Sequence, residues 1–433
     1  MKAPITVQLE ITEKCNFKCP HCYHLDNEEG GRFLNLQTDS RKVMEIARIL
    51  VGLEIFNVIL TGGEPLMEKE LLLSLIEYFG KNNISVSVNT NLVLVTKEFL
   101  EDPRMFYVKS FLVSCPSCNK KLYKVMTGNG NYDIFEKKLI LLKNKRFRFS
   151  VNMVVNRKNL SDIKSTAKHL MGLGIKKFGA TPMALNLLRP DLDNFLKPEE
   201  VIQLVLDLVW IHDELKMSVD IFEAIPNCIF PEEVQKRDFH FLKRKCQAGI
   251  TTMAVSNNGD VRPCTHNIDN YGNLLEEDFS LIWNKMSDWR NRTYLPDECQ
   301  SCKILNLCAG GCRMTAKAFS ESNNPKAKDP WMTEVITSKT KKIKKNISLF
   351  PEMVVFLSGI IQYRKEDDTY LLGIKNKNNV TRINKELLDF ILYLQKIKKS
   401  SLIKLAENMD VFKSEKFQEI IQFLLGKKVL KGG

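Results

Sequence analysis

Between residues 5 and 183 the chain alternates two hydrophobic periods. Short β-branched runs predict strands at ITVQLEIT (5–12), FNVILTGG (56–63), ISVSVNTN (84–91), YVKSFLVSC (107–115), FRFSVNMVV (147–155) and IKKFGATPM (175–183). Longer stretches with apolar residues three and four apart predict helices between them, as in SRKVMEIARILVGL (40–53), EKELLLSLIEYFG (68–80) and LSDIKSTAKHLMGLG (160–174). The last two end on glycine, a helix stop. Six strand-then-helix units in a row imply an α/β fold: a parallel sheet with right-handed crossovers, either open or curled into a partial (β/α)6 barrel. In such folds the chemistry collects at the C-terminal ends of the strands.

Beyond the repeating units, residues 198–217 read as an amphipathic helix opened by Pro198 and two glutamates. A cysteine-rich, turn-rich region follows over roughly 246–332. Residues 320–348 read as a linker that closes on a lysine run. In a third unit, MVVFLSGIIQYR and TYLLGIKNKNNVTRIN read as strands, with helices expected near 385–396, 401–409 and 414–426. The expected division is a barrel over 1–220, a cysteine-rich domain over 221–335, a Lys-rich linker over 336–349 and a small winged-helix-like α+β domain over 350–433.

Composition narrows the function. The first residues, MKAPITVQLEIT, alternate like a strand and lack the apolar run of an export signal, and no stretch is long enough to span a bilayer. A cytoplasmic location is expected, where thiols stay reduced, so twelve cysteines point to metal binding or catalysis rather than disulfides. The net charge is +13, and residues 315–433 hold 23 Lys and Arg against 13 Asp and Glu. That surplus suits nucleic acid, an acidic peptide or simply a solvated lysine-rich face, and by itself selects none of them.

The segment EKCNFKCPHCYH (13–24) packs Cys15, Cys19 and Cys22 into eight positions, just past the first strand. Taken alone, three thiols at this spacing suit a zinc site completed by His21 or His24. They equally suit a [4Fe–4S] cube held at three irons, its fourth iron left free. Context separates the two. Tyr23 follows the third cysteine, and Gly62, Gly63, Glu64 and Pro65 follow the second strand. Over about residues 5–183 this combination resembles the radical S-adenosylmethionine superfamily. The resemblance implies that Cys15, Cys19 and Cys22 ligate a [4Fe–4S] cluster whose open iron takes the amino and carboxylate groups of S-adenosylmethionine. It further implies that Tyr23, Gly62, Gly63, Glu64 and Pro65 frame that ligand, with the glycines allowing close backbone approach and Glu64 accepting from its ammonium. Asn89, Asn91 and Ser114 stand at strand ends facing the same mouth.

Six more cysteines form a second pattern. Cys246 leads to Cys264 through a Gly-x4-Cys ending, and Cys299, Cys302, Cys308 and Cys312 follow at Cys-x2-Cys-x5-Cys-x3-Cys spacing. On spacing alone a structural zinc ribbon is an open alternative. In order and spacing the region resembles the SPASM domain, which carries auxiliary [4Fe–4S] clusters in peptide-modifying enzymes. By that resemblance Cys246, Cys264 and Cys312 hold one cluster and Cys299, Cys302 and Cys308 another. The family's seventh cysteine is missing, because DPWM puts Met332 where it is expected. Three readings of that second cluster stay open: Asp329 closes it, its fourth position is left open to substrate, or it is absent, so one or two auxiliary clusters are expected; Cys228 and His240 are the nearest candidates for the fourth position on the first cluster.

Cys115 and Cys118 are candidates for catalysis. Cys115 stands at the end of the fourth strand, where a thiol can give a hydrogen atom to a carbon radical or act as a proton acceptor, while Cys118 reads as a loop residue. The tail resembles the peptide-recognition domains of enzymes that modify ribosomally made peptides, which take a leader as an added strand. The expected function is a radical S-adenosylmethionine peptide maturase, with a precursor peptide and its leader as partner and a flavodoxin or ferredoxin as electron donor. The alternatives are a sulfatase-type maturase and a zinc-stabilised nucleic-acid-binding protein. Membrane association is not expected, and the maturase reading involves no nucleic acid.

Overall fold

All six expected strands form, each trimmed to its paired residues: β1 Thr6–Glu10, β2 Asn57–Thr61, β3 Ser85–Thr90, β4 Val108–Ser114, β5 Phe149–Val155 and β6 Lys177–Pro182. The structure is a computed structural model that describes residues 1–23, 37–333, 353–377, 379–402, 405 and 415–432. The strands lie side by side in chain order, all parallel, with β7 Ser218–Asp220 added beyond β6. On the other side β8 Thr252–Val255 runs parallel to β1, and β9 Val261–Arg262 turns back antiparallel. The sheet is therefore open, because β1 pairs with β8 and not with β6. The cysteine-rich region, read from sequence as turns, supplies β8 and β9; four and two residues are too few to display a period.

The crossover helices are α1 Ser40–Gly52, α2 Lys69–Lys81, α3 Lys97–Glu101, α4 Lys120–Thr127, α5 Tyr132–Asn144, α6 Ile163–Gly172 and α7 Pro198–Leu215. Local chemistry starts several of them. Asp39, Thr96, Asn119 and Asn131 each accept a hydrogen bond from a backbone N–H of the first turn.

Successive side chains along a strand leave on opposite faces, and the two sets have different fates. From β4 and β5, Phe111, Val113, Val151, Met153 and Val155 enter the hydrophobic core. Leu112, Ser114, Asn152 and Val154 instead line a cavity on the other face. One core runs from Val7 to Trp331, so the barrel and the cysteine-rich region share it. Buried Glu10 on β1 and Arg262 on β9 form an ion pair across that junction.

A second core, from Val355 to Leu430, belongs to the tail. There β10 Val354–Leu357 lies between β14 Lys399–Ser401 and β15 Leu430–Gly432, while β11 Ile361–Glu366, β12 Thr369–Ile374 and β13 Val380–Ile383 form a meander. The two stretches read as strands each hold two, β10 and β11 in the first and β12 and β13 in the second. Helices at Lys385–Ile397 and Glu415–Gly426 follow expectation. The helix expected over 401–409 and the linker 336–349 lie mostly or wholly outside the described residues.

The tail is fastened to the N-terminal ends of the barrel strands. Arg364, 3 % exposed at its side chain, donates to the carbonyls of Ala3 at 2.7 Å, Pro4 at 2.9 Å, Leu53 at 3.3 Å and Glu54 at 3.4 Å. Lys375 donates to Gly80 O at 3.0 Å, and the Asn376 N–H donates to Ser85 Oγ at 2.8 Å. Among the described residues, no helix is long and apolar enough to cross a membrane.

Candidate functional site

The loop of Cys15, Cys19 and Cys22 leaves the C-terminal end of β1 and is pinned from three sides. The Gly63 N–H donates to Thr12 O at 2.8 Å and the Glu64 N–H to Lys14 O at 2.7 Å, so the loop's start pairs with the turn after β2. Asn91 Nδ2 donates to Asn16 Oδ1 at 2.7 Å from the end of β3. The Lys18 N–H donates to Thr127 O at 3.1 Å at the end of α4, and Phe17 packs edge-on against Tyr123. The Phe17 N–H also donates to Cys15 Sγ at 3.4 Å.

This docking explains Gly62 and Gly63 more directly than ligand approach does. A Cβ on Gly62, where φ is +139°, would run into Thr12 O, and one on Gly63 into the carbonyl oxygens of Glu13 and Lys14. Gly128, at φ +64°, does the same against Lys18 O. The sequence reading did not single it out; its signal was the glycine stop after a helical run.

All three thiols line one cavity of about 320 Å³, within the range of small-molecule sites of roughly 300–1,000 Å³. Gly62, Gly63, Glu64, Asn89, Asn91, Ser114 and Tyr23 line it as well. Pro65 is buried and opens a short helical turn, Pro65–Glu68. Glu64 is 1 % exposed, and three protein donors already hold it: Thr90 Oγ1 at 2.8 Å, the Asn91 N–H at 2.7 Å and the Leu66 N–H at 3.2 Å. Burial raises its carboxyl from 4.5 to about 7 against those hydrogen bonds. His21 lines the same cavity, while His24 lies outside the described residues. The residues present fit an iron–sulfur cube with a small molecule on its open iron: three thiols from one loop, and space beyond them walled by polar strand ends.

Cys115 lines this cavity too and is fully buried. Its thiol donates to Ser117 O at 3.5 Å, and burial together with the neighbouring Cys118 pushes it well above its ordinary value. At neutral pH it is therefore a thiol and not a thiolate, which suits giving a hydrogen atom better than accepting a proton. Cys118 points instead toward α6, with Sγ 4.0 Å from Thr166 O and its N–H donating to Thr166 Oγ1 at 3.2 Å.

The other cysteines divide into two groups. Cys246, Cys264 and Cys312 lie together: burial, then Cys246, pushes the Cys264 thiol up to about 12. Burial, followed by Glu223, Cys246 and Cys264, raises the Cys312 thiol well above its ordinary value. Ligand atoms of Glu223, His266 and Cys312 all lie within 4.8 Å of one another. Glu223 and His266 also line the main cavity, and His266 meets the ring of Tyr23 edge-on at 4.6 Å. The sequence reading missed both. Glu223 stands three residues past β7, at a strand end like the other site residues, but β7 is too short to be seen in the pattern.

Cys299, Cys302 and Cys308 line a second, small cavity together with Met332 and Cys228. Cys228 is thus grouped with these thiols rather than with the Cys246 set. His240 stands elsewhere, largely exposed, with Nδ1 3.3 Å from Asp220 Oδ2. Asp329 is buried and accepts from the N–H of Cys312 at 3.1 Å and of Trp331 at 3.0 Å. It anchors the Cys312 turn and does not line the small cavity.

Comparison with known proteins identifies two family matches. Residues 9–170 match the model of the radical SAM superfamily, and residues 246–303 match that of the SPASM iron-sulfur cluster-binding domain, together just over half of the chain. The chain is 25 % identical over 362 residues to the mycofactocin maturase MftC of Mycolicibacterium smegmatis, covering 79 % of this chain and 88 % of the relative. It is 26 % identical over 355 residues to an AdoMet-dependent heme synthase of Methanosarcina barkeri, covering 76 % and 96 %. Among solved structures, Streptococcus suis SuiB bound to its precursor peptide SuiA superposes with a TM-score of 0.59 at 18 % identity, covering 76 % of this chain and 75 % of that one. The chain belongs to the radical S-adenosylmethionine superfamily and carries a SPASM iron–sulfur domain.

Proposed function

We propose that the chain is a maturase that abstracts a hydrogen from a residue of a ribosomally made precursor peptide, leading to a thioether or other crosslink or to epimerisation. The observation that carries this reading is a single cavity with Cys15, Cys19 and Cys22 on its wall and with Glu223 and His266, neighbours of Cys312, also lining it. A substrate residue in that cavity lies between a radical source and an auxiliary centre. MftC as a maturase and SuiB with its precursor peptide support a peptide substrate. The heme synthase relatives have other substrates, and the separate tail domain is what favours a peptide here.

When bound, the reduced [4Fe–4S] cluster and S-adenosylmethionine supply a carbon radical strong enough to take hydrogen from an unactivated C–H bond. The chain's own residues hold, orient and enclose. Cys15, Cys19 and Cys22 hold the cluster; Tyr23, Gly62, Gly63, Glu64, Pro65, Asn91 and Ser114 frame the ligand; and Cys115 returns a hydrogen atom where the reaction calls for one. Cys118 supports Cys115 from the α6 side.

We keep the division into 1–220, 221–335, 336–349 and 350–433, with the last unit capturing the leader as an added strand. A flavodoxin or ferredoxin delivers the electron, and the cytoplasm, where twelve free thiols stay reduced, is the compartment that suits the chain. The zinc-stabilised nucleic-acid-binding reading gives way because Cys15, Cys19 and Cys22 fall within the radical SAM match and Cys246, Cys264, Cys299 and Cys302 within the SPASM match. A sulfatase-type maturase gives no part to the tail.

The test is anaerobic incubation of reduced protein with S-adenosylmethionine and a short peptide encoded beside the gene. Formation of methionine and 5′-deoxyadenosine with a change in peptide mass is expected. No cleavage of S-adenosylmethionine would sink the reading. Cleavage with every leader-bearing peptide left unaltered would sink the peptide part alone.

A further inference from the structure

Met332 leaves the Cys299, Cys302 and Cys308 set one thiolate short of a closed cube. The segment that carries Met332 is rigidly placed. Trp331 stacks on Phe195 at 4.9 Å and donates from its indole to Leu196 O at 2.8 Å, and the Met332 N–H donates to Asp329 O at 2.9 Å. Met332 lines the small cavity, and its thioether carries no charge and is a weak donor beside a thiolate.

The short turn Asn227–Ile229 brings Cys228 to the same cavity. Three contacts fix this turn. The Asn227 N–H donates to Cys308 Sγ at 3.2 Å, Asn227 Nδ2 donates to Leu242 O at 2.8 Å, and Thr333 Oγ1 donates to Cys228 O at 2.7 Å. A Cβ on Gly311, at φ +79°, would meet first Asp329 Oδ2 and then Pro226, so the Cys308–Cys312 turn leaves room both for Asp329 and for the segment that leads to Cys228. Ala309, Gly310 and Gly311 all have positive φ, and the N–H groups of Gly310 and Gly311 also turn toward the Cys308 sulfur. Such N–H donors stabilise a cluster thiolate.

We infer that Cys228, which lines the cavity beside Met332, supplies the fourth thiolate in place of the family's missing cysteine, so that Cys228, Cys299, Cys302 and Cys308 form a closed four-thiolate site. The inference rests on the iron–sulfur reading of the Cys299 set. It reverses what the sequence suggested about where the open position lies. The set left with three thiols is Cys246, Cys264 and Cys312, whose neighbours Glu223 and His266 face the main cavity. The remote site is closed, and the incomplete one stands where substrate is processed.

The test is iron and sulfide content, with the cluster's electron paramagnetic resonance signals, on anaerobically purified wild type and variants. Three full sites give about twelve irons per chain. Cys228→Ala is expected to lose as much iron as Cys302→Ala, about four atoms, and Cys228→Ala combined with Met332→Cys is expected to regain it. In the wild-type holoprotein, Cys228 should resist alkylation as Cys302 does and react along with it once iron is chelated away. This arm stands even if Cys228→Ala fails to fold. Cys228 alkylated in a holoprotein whose Cys299, Cys302 and Cys308 are protected overturns the inference, as does wild-type iron in Cys228→Ala beside a loss in Cys302→Ala. No loss in Cys302→Ala would mean that the site holds no cluster, a failure of the underlying reading as well.

Discussion

The Asn91 backbone N–H donates to Glu64 Oε2 at 2.7 Å, so a buried carboxylate ties the end of β2 to the end of β3. Replacing Glu64 with Gln turns one of its two acceptors into a donor facing a donor. The expected cost is about 1–3 kcal/mol, seen as a lower Tm and weaker S-adenosylmethionine binding at pH 7. Unchanged binding and Tm would make this tie dispensable.

The same residue sets a pH dependence. Burial lifts Glu64 from 4.5 to about 7, so between those values the folded protein binds its proton more tightly than the unfolded chain does. Stability therefore falls as pH rises from about 4.5 to about 7, by up to about 3 kcal/mol for this group. Glu64→Gln removes that slope, and the Tm difference between the two proteins should shift toward the variant as pH rises. Parallel Tm curves from pH 5 to pH 8 would exclude it.

Gly63→Ala pushes a methyl group into the carbonyl oxygens of Glu13 and Lys14. Backbone cannot yield as a flexible side chain would, so an expected cost of about 1–3 kcal/mol falls on the cysteine loop. Iron bound by Cys15, Cys19 and Cys22 should be lost while the auxiliary iron stays. Full iron content in this variant would mean that the loop docks in another way.

Cys115→Ala is expected to keep its iron and still cleave S-adenosylmethionine, because the side chain is small and buried and stands on β4's end and not in the three-thiol loop. Peptide product should fall at least about tenfold, or deuterium from solvent should cease to appear at the modified carbon. Cys118→Ala, outside the cavity, should stay within about threefold of wild type. Equal product from both variants would remove Cys115 from the chemistry.

Arg364→Ala takes the donor from four barrel carbonyls and the guanidinium from the buried Glu366 carboxylate, which keeps the Lys2 N–H and the Met1 amino group. Losing one partner of a buried pair costs about 3–5 kcal/mol, concentrated at the joint between barrel and tail. Faster proteolysis at that joint with unchanged iron content is the expected outcome, and an unchanged cleavage pattern would argue against it.

Much of the barrel was legible because most of its strands carry enough β-branched residues to display themselves, and the three-thiol loop because its cysteines fall within eight positions. The auxiliary sites were legible only in part. Cys228 stands 71 positions before Cys299, and Glu223 and His266 come from separate loops, so their convergence depends on how the cysteine-rich region folds back along β1. Met332 could be read as a gap but not as a gap filled from elsewhere, since a ligand's distance along the chain says nothing about its distance across a cavity. The glycines of GGEP were read for ligand approach, whereas their immediate neighbours are the carbonyls of the loop they dock.

The tail grips the N-terminal ends of the strands, at Pro4, Leu53 and Ser85, while the cavity opens at their C-terminal ends. β3 alone separates the two ends by roughly 17 Å, and the packed core bars a path through the middle. A peptide gripped by the tail must travel around the outside, roughly 30 Å with the loops included, or about ten extended residues. Under the proposed leader capture, the fold would act as a ruler. If the tail holds the leader, residues closer to it than that spacing stay unmodified whatever their chemistry, and shortening the segment between leader and target one residue at a time should end modification abruptly.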